Sequence, residues 1–284
     1  MTQFPHDATV LITGAGGRLG RLLRRAARRS ADTGDGRARL VFQSRQPGAD
    51  LLWAPGDPLS ALPSAGTVVA LWGCTAGIDS ELAENERLVS ISQTVAHACG
   101  ARRLLHLSSA AVYGPGTEMD ETRPPQPVGG YGRAKLAMER AVARQAAGDA
   151  GQCCLRLANV VGADSLAAGL AGDGPVGLDR FAEGSGPVRS YIGASDVLSV
   201  LRGLAALSPG ALPGLLNVAA PAPVRMEELV RAAGLAPAWR PAPATAVREV
   251  TLDATRLARL LPGRLRDVTA ASMIADWTAL ESLP

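Results

Sequence analysis

The fold is decided by the stretch ATVLITGAGGRLG, residues 8–20. It starts as a short apolar run typical of a β-strand and ends in a glycine-rich turn, in which Gly14, Gly17 and Gly20 have GxxGxxG spacing and lead into good helix formers. Between a strand and a helix, such glycines let backbone amides approach a pyrophosphate, which the positive end of the helix dipole also faces. The order of strand, turn and helix carries more weight than a glycine-rich turn alone. The stretch therefore predicts a dinucleotide-binding turn, and a tight structural turn is the alternative.

Short apolar runs alternate with helical stretches beyond this turn. Strands are predicted at residues 40–42, 51–53, 67–72 and 104–109, and a helix at 81–99. Because only residues 58–66 separate two of these strands, the helix between them must be short or missing. The alternation predicts an α/β fold, a Rossmann-type doubly wound parallel sheet whose ligands lie off the carboxyl ends of its strands. Ser109 ends the last of these strands.

Composition and charge exclude several classes of protein. The 284 residues are 47% hydrophobic and 19% charged, which is typical of a globular chain. No apolar run reaches the roughly 18 residues of a membrane span, and the N-terminus lacks a signal-peptide pattern, so we expect a cytoplasmic protein. A net charge of +3 does not favour nucleic acid. The four cysteines lack CxxC spacing and the three histidines are scattered, so neither a metal site nor a disulfide framework is expected.

A second informative stretch is YGRAK, residues 131–135. Lys135 is the only lysine in the sequence, and Tyr131 is one of three tyrosines. Side chains at i and i+4 share one face of a helix, and random placement produces this spacing roughly once in a hundred chains. Lysine also offers a compact charge on a flexible stem, which the wide fork of arginine does not. The pair is therefore predicted to act as an acid/base pair; an ordinary surface lysine is the alternative.

The residues after the second predicted strand bear on the choice of dinucleotide. NAD-preferring sites usually carry Asp or Glu there, whereas this chain has Ser44 and Arg45, which can hold a 2′-phosphate. We therefore favour NADP as the cofactor and keep NAD open, with a solvated Arg45 as the alternative. Asp57 is expected at the adenine amino group and Trp72 beside the cofactor. The predicted cofactor-binding residues so far are Gly14, Gly16, Gly17, Arg18, Leu19, Gly20, Ser44, Arg45, Asp57 and Trp72.

Five motifs give the sequence a family resemblance. They are LSSAAVYG (107–114), YGRAK (131–135), LRLANVVG (155–162), RSYI (189–192) and LNV (216–218). Together they resemble the extended short-chain dehydrogenase/reductases, the NAD-dependent epimerase/dehydratase family, whose members mostly act on nucleotide sugars. The resemblance is strong to about residue 162 and weak beyond. It implies a dinucleotide-binding domain at 1–162, its sheet completed by 190–218, and a smaller C-terminal substrate-binding lobe at 163–189 and 219–284.

The resemblance also implies roles for single residues. Tyr131 would be the catalytic acid/base, Lys135 its pKa-lowering neighbour and a ligand of the cofactor ribose, and Ser109 the group that bonds the reacting oxygen. Asn85 would support this catalytic set from the preceding helix. Asn159 and Arg189 fall where relatives meet the nucleotide or phosphates of the substrate. From the residues alone, Asn159 could equally cap a turn, and Arg189 could be a surface charge.

Two departures from the family pattern narrow the reaction. Residues 163–188 are short and rich in Gly and Ala where relatives often carry a longer substrate loop, and Ala110 follows Ser109 where dehydratases carry an Asp-Glu pair. We therefore expect an enzyme, an NAD(P)-dependent oxidoreductase or epimerase that transfers hydride at a hydroxyl or keto carbon of a sugar nucleotide or related substrate. An NADPH-dependent reductase of a small carbonyl compound and, less favoured, a non-catalytic dinucleotide sensor are the alternatives. The expected partner is a small molecule, without nucleic acid or membrane; a homodimer is left open.

Overall fold

The computed structural model describes residues 8–31, 38–74, 79–145, 150–265 and 268–283. The strands are β1 (Thr9–Thr13), β2 (Arg39–Ser44), β3 (Leu51–Leu52), β4 (Thr67–Ala70), β5 (Arg103–Ser109), β6 (Gly116–Met119), β7 (Gly151–Leu157), β8 (Asn159–Val160), β9 (Val176–Arg180), β10 (Val188–Arg189), β11 (Tyr191–Ile192), β12 (Leu215–Val218), β13 (Val224–Arg225), β14 (Pro237–Pro241) and β15 (Glu249–Leu252). The helices are α1 (Arg18–Ala31), α2 (Asp79–Cys99), α3 (Gly130–Arg144), α4 (Ala167–Leu170), α5 (Ala194–Ala206), α6 (Met226–Ala232), α7 (Thr255–Leu260) and α8 (Ala270–Glu281). In these ranges no helix has the length and apolar character needed to cross a membrane.

A parallel sheet of seven strands organises the molecule, in the order β12-β7-β5-β4-β1-β2-β3. The chain runs outward from β1 through β2 and β3, then returns to the other side of β1 at β4. This reversal is the switch point at which ligands bind in doubly wound folds. The predicted Rossmann-type α/β fold is therefore confirmed.

Helices cover both faces of this sheet. α1 packs on α5 and α8, and α2 packs on α3. Strand β1 serves both layers, because Val10 and Ile12 join the core beneath α1 while Leu11 joins the core beneath α2. A strand buried on both faces reads as a continuous apolar run, which is why residues 9–13 look so uniform.

Two connections matter for the site. Between β3 and β4 the chain forms only one turn of 3₁₀ helix, Leu59–Ala61, as the short spacing predicts. A second 3₁₀ turn, Ala110–Val112, follows β5, and the Ser109 side chain caps it by accepting a hydrogen bond from the Ala111 amide.

The remaining strands form smaller sheets, β13-β10-β15-β6, β11-β8 and β14-β9. Strands β9, β11 and β13 contribute to a second core in which Tyr191, Leu229 and Met273 are buried. Of the segment 190–218, only β12 joins the main sheet, whereas Tyr191–Ile192 pairs with β8. The division of the chain into a dinucleotide domain and a substrate lobe stays a prediction.

Candidate active site

The glycine turn after β1 has no room for a side chain at two of its positions, Gly14 and Gly20. Gly14 has a φ of +71°, and a Cβ atom there would lie 2.6 Å from the Trp72 backbone nitrogen. A Cβ atom at Gly20 would lie 2.4 Å from the Ala15 Cα, so neither position accepts a larger residue. At Gly17, by contrast, the nearest atom is 3.6 Å away, and the residue is exposed. An open backbone at the start of α1 suits a phosphate group.

Gln43, which the sequence pattern did not single out, anchors this turn. Its side chain is buried, its Oε1 accepts a hydrogen bond from the Gly14 amide at 2.9 Å, and its Nε2 donates to the Trp53 carbonyl. Its own carbonyl accepts from the Ala15 amide at 2.8 Å. An amide side chain directly after the apolar residues 40–42 of β2 is the signal that could have identified it.

The residues predicted to contact the 2′-phosphate and adenine of the cofactor differ in their exposure to solvent. Ser44 is buried, and its Oγ accepts from the Gln46 amide at 3.0 Å while facing the backbone of Gly16. Arg45 is exposed. Asp57 is also exposed, and its Oδ2 accepts from the Ala54 amide at 2.7 Å, so it shapes its own loop. The roles of Arg45 at a phosphate and of Asp57 at adenine stay predictions.

The Trp72 residue lies beside the glycine turn. Trp72 Nε1 donates to Ser92 Oγ at 2.8 Å, which fixes the ring against α2. The rings of Trp53 and Trp72 lie 6.4 Å apart at an angle of 34°. Trp72 thus sits beside Gly14 at the end of β4, where the sequence predicts a cofactor contact.

Helix α3 brings Tyr131 and Lys135 to the carboxyl end of β5. A Cβ atom at Gly132 would lie 2.4 Å from the Ala111 carbonyl oxygen, so this glycine allows the helix to approach the 3₁₀ turn after β5. Lys135 Nζ lies 6.0 Å from the centroid of the Tyr131 ring. The two side chains therefore share one face of α3.

Lys135 is buried and donates from Nζ to the Leu107 carbonyl at 2.8 Å. Burial lowers its pKa to about 8. Asn85 is also buried; its Nδ2 donates to the Cys74 and Leu82 carbonyls at 3.0 and 2.9 Å, while its Oδ1 has no hydrogen-bond partner. A Cβ atom at Gly73 would lie 2.5 Å from that oxygen and 3.2 Å from Lys135 Nζ. The unpaired Asn85 Oδ1 and the Lys135 ammonium therefore both lie next to Gly73.

Ser109 and Tyr131 complete this group. Burial raises the Tyr131 pKa, and a hydrogen bond with the Ser109 hydroxyl opposes that rise. The lowering of the Tyr131 pKa by Lys135 stays a prediction. In the chain by itself, burial of the phenol acts in the opposite direction, and the Lys135 ammonium donates to the Leu107 carbonyl.

Asn159 and Arg189 belong to the smaller sheets. Asn159 pairs with the buried Tyr191 across β8 and β11, and the Tyr191 hydroxyl donates to Asp164 Oδ2 at 2.8 Å. Arg189 is no free surface charge, because its guanidinium donates to backbone carbonyls of three residues. These are Val188 at 2.7 Å, Arg248 at 2.8 Å and Val247 at 2.6 Å. Contact of either residue with a substrate stays a prediction.

A cavity of about 600 Å³ opens beside the first turn of α1. Arg18 and Arg21 line it from α1, and Trp277 and Glu281 from α8. Arg21 Nη1 also donates to the Gly16 carbonyl at 2.6 Å. The Arg18 and Arg21 side chains therefore place positive charge next to the glycine turn.

Comparison with known proteins agrees with this geometry. The model of the NAD dependent epimerase/dehydratase family matches residues 10–184, so the chain belongs to that family of enzymes. Among curated protein sequences, none matches significantly.

Several solved structures share the fold over nearly the whole chain. MoeE5 in complex with UDP-glucose and NAD is 25% identical, covers 96% of this chain and 97% of its own, and has a TM-score of 0.72. A short-chain dehydrogenase/reductase superfamily protein from Agrobacterium tumefaciens with bound NAD is 20% identical, with 96% and 97% coverage and a TM-score of 0.74. UDP-glucuronic acid 4-epimerase from Bacillus cereus, in complex with UDP-glucuronic acid and NAD, is 14% identical, with 96% and 99% coverage and a TM-score of 0.73. All three carry NAD, so the preference for NADP finds no support here.

Proposed function

We propose that this protein is an NAD-dependent epimerase or oxidoreductase of a nucleotide sugar, with Tyr131 as the acid/base. The observation that carries the proposal is the placement of Tyr131 and the buried Lys135 on one face of α3, at the end of β5 where Ser109 lies. The nucleotide-sugar substrate is taken from MoeE5 with UDP-glucose, the relative at 25% identity.

In the proposed reaction Tyr131 removes the proton from a substrate hydroxyl and returns it in the reverse direction. Ser109 holds the reacting oxygen through its hydroxyl, and Lys135 provides positive charge that favours the phenolate when the substrate is bound. A bound NAD supplies the hydride acceptor and donor. For an epimerase, the substrate must turn within the site between the two transfers, and the product then shows no net redox change.

The reaction is proposed to be epimerisation or oxidation rather than dehydration. Ala110 follows Ser109 on the 3₁₀ turn and carries no carboxylate for water elimination. Asp120 is exposed and caps its own loop by accepting from Thr122, while Glu121 accepts from the Asn217 amide at 2.8 Å. The Asp120 and Glu121 carboxylates thus each accept a hydrogen bond from a backbone amide of the fold.

The cofactor is proposed to be NAD. The space limits at Gly14 and Gly20 and the open backbone at Gly17 fit a dinucleotide. Arg45, the residue predicted to hold a 2′-phosphate, is exposed. Titration with NADH and NADPH tests this point, and tighter binding of NADPH would restore the NADP prediction.

Lys135→Arg tests the proposed function. We incubate the wild type with NAD and either UDP-glucose or UDP-glucuronic acid, and identify epimers or oxidised products by NMR. Lys135→Arg should keep the fold but lose most of the activity, because the wider guanidinium does not fit the site at the Leu107 carbonyl. The reverse exchange on the exposed face of α3, Arg140→Lys, is the matched control. Unchanged turnover in Lys135→Arg would return this lysine to a structural role.

A further inference from the structure

A buried ion pair that the proposed reaction does not use joins α3 to the sheet. Glu139 on α3 is 9% exposed, and Arg156 on β7 is 3% exposed. Arg156 donates from Nε to Glu139 Oε1 at 3.0 Å and from Nη2 to Oε2 at 2.7 Å. Ser108 Oγ on β5 donates to the same Oε1 at 2.5 Å. One carboxylate therefore binds the helix to two strands.

Further contacts hold the pair in a single arrangement. The Arg156 guanidinium lies 4.4 Å from the centroid of the Tyr113 ring, and the Tyr113 hydroxyl donates to Asn217 Oδ1 at 2.8 Å. Asn217 Nδ2 in turn donates to the Met119 carbonyl at 2.8 Å. A buried ion pair is weak evidence for stability, because desolvation offsets the attraction. The effect of its charge is therefore best sought in the groups nearby.

Lys135 lies one helical turn before Glu139 on the same buried face of α3. The other titratable groups that face it are Tyr131 on its own helix, His106 on β5, Cys154 on β7 and Cys74 after β4. Burial keeps His106 neutral by lowering its pKa to about 4, and keeps the Cys154 thiol protonated by raising its pKa to about 12. Among the described groups that act on Lys135, Glu139 is thus the one carboxylate, and it opposes the effect of burial.

We propose that Glu139 is a positioning residue for the acid/base pair: its carboxylate locks α3 onto β5 and β7 and places a negative charge one helical turn from Lys135. Because Ser108 directly precedes Ser109, the same carboxylate also fixes the helix against the strand end that meets Tyr131. The inference rests on the proposed function for the role of Lys135. If Glu139 served only to neutralise Arg156, removing both charges together would leave Lys135 unaffected.

The single lysine makes a direct measurement possible. Lys135 is the only lysine in the 284 residues, so labelling lysine Cε with ¹³C gives one NMR signal. The change of this signal with pH reports the pKa of Lys135. Glu139→Gln should lower that pKa by roughly one unit, because an opposite charge is lost. The double variant Glu139→Gln/Arg156→Met leaves neither buried charge without its partner, and should lower the pKa as well; it serves if the single variant fails to fold.

Glu86→Gln is the matched control. It removes an exposed carboxylate on α2 that pairs with Arg144 of α3 at 2.6 Å, and should leave the Lys135 pKa unchanged. An unmoved pKa in a folded Glu139 variant, or an equal shift in Glu86→Gln, would overturn the proposal. The titration needs neither substrate nor cofactor. A shifted pKa without turnover of any nucleotide sugar would therefore count against the proposed function alone, and turnover with an unmoved pKa against the positioning role alone.

Discussion

The glycine turn and the buried face of α3 flank the same switch point but are built in opposite ways. The turn depends on missing side chains, since Gly14 and Gly20 have no space for a Cβ atom. The face of α3 depends on ionisable side chains taken out of water, Lys135 and Glu139, each held by a specific partner. In the proposed function, binding of the dinucleotide therefore depends on backbone shape, whereas proton transfer depends on buried charge.

The largest expected effect is on the turn. Gly14→Ala should lower the free energy of unfolding by about 2–5 kcal/mol, since it combines a positive φ with a contact of 2.6 Å to the Trp72 backbone. Urea denaturation measures the change. Gly177→Ala on β9, where a Cβ atom meets nothing within 4 Å, is the control and should change stability by less than about 0.5 kcal/mol. Similar costs in both variants would show that the turn is not specially constrained.

A smaller effect on stability is expected from His106, a buried titratable residue of β5. Burial lowers the pKa of His106 to about 4 from an ordinary value of 6.5, so the unfolded chain binds the proton first as the pH falls. The wild type should therefore lose up to about 3 kcal/mol of stability between pH 6.5 and pH 4 that His106→Gln does not lose. Denaturation across this pH range checks the difference. Exposed His97→Gln is the control, and parallel curves for the wild type and His106→Gln would contradict the expectation.

Gln43→Leu should have the smallest effect. It leaves the Gly14 amide and the Trp53 carbonyl without their side-chain partner, at a cost of about 1–3 kcal/mol of stability and some affinity for NAD. Calorimetric titration with NAD and thermal unfolding measure the two quantities. The control is Gln46→Leu at an exposed position. If Gln43→Leu bound NAD as tightly as the control, the turn would keep its shape without this anchor.

The sequence predicted the features that depend on neighbouring residues. Local spacing predicted the strand, turn and helix at residues 8–20, and it predicted that the helix before β4 is short or missing. It also predicted that Tyr131 and Lys135 share one helix face. The structure confirms all three predictions. Family motifs located the candidate site because they occur at fixed places around the sheet.

Features that depend on distant partners could not be predicted in this way. Glu139 and Arg156 are 17 positions apart and meet only because α3 lies across β7. Two of the three carbonyls that accept from Arg189 come from residues 58 and 59 positions away. The raised pKa of Tyr131 likewise depends on burial in the folded chain, which a spacing of four residues does not specify.

In the proposed function, the face of α3 performs the proton transfer while the glycine turn binds the dinucleotide. Tyr131→Phe separates the two most directly, measured as turnover of a nucleotide sugar that the wild type converts, together with the Kd for NAD. Turnover should fall by roughly 10²- to 10⁴-fold with the Kd for NAD nearly unchanged. Turnover close to that of the wild type would contradict the claim.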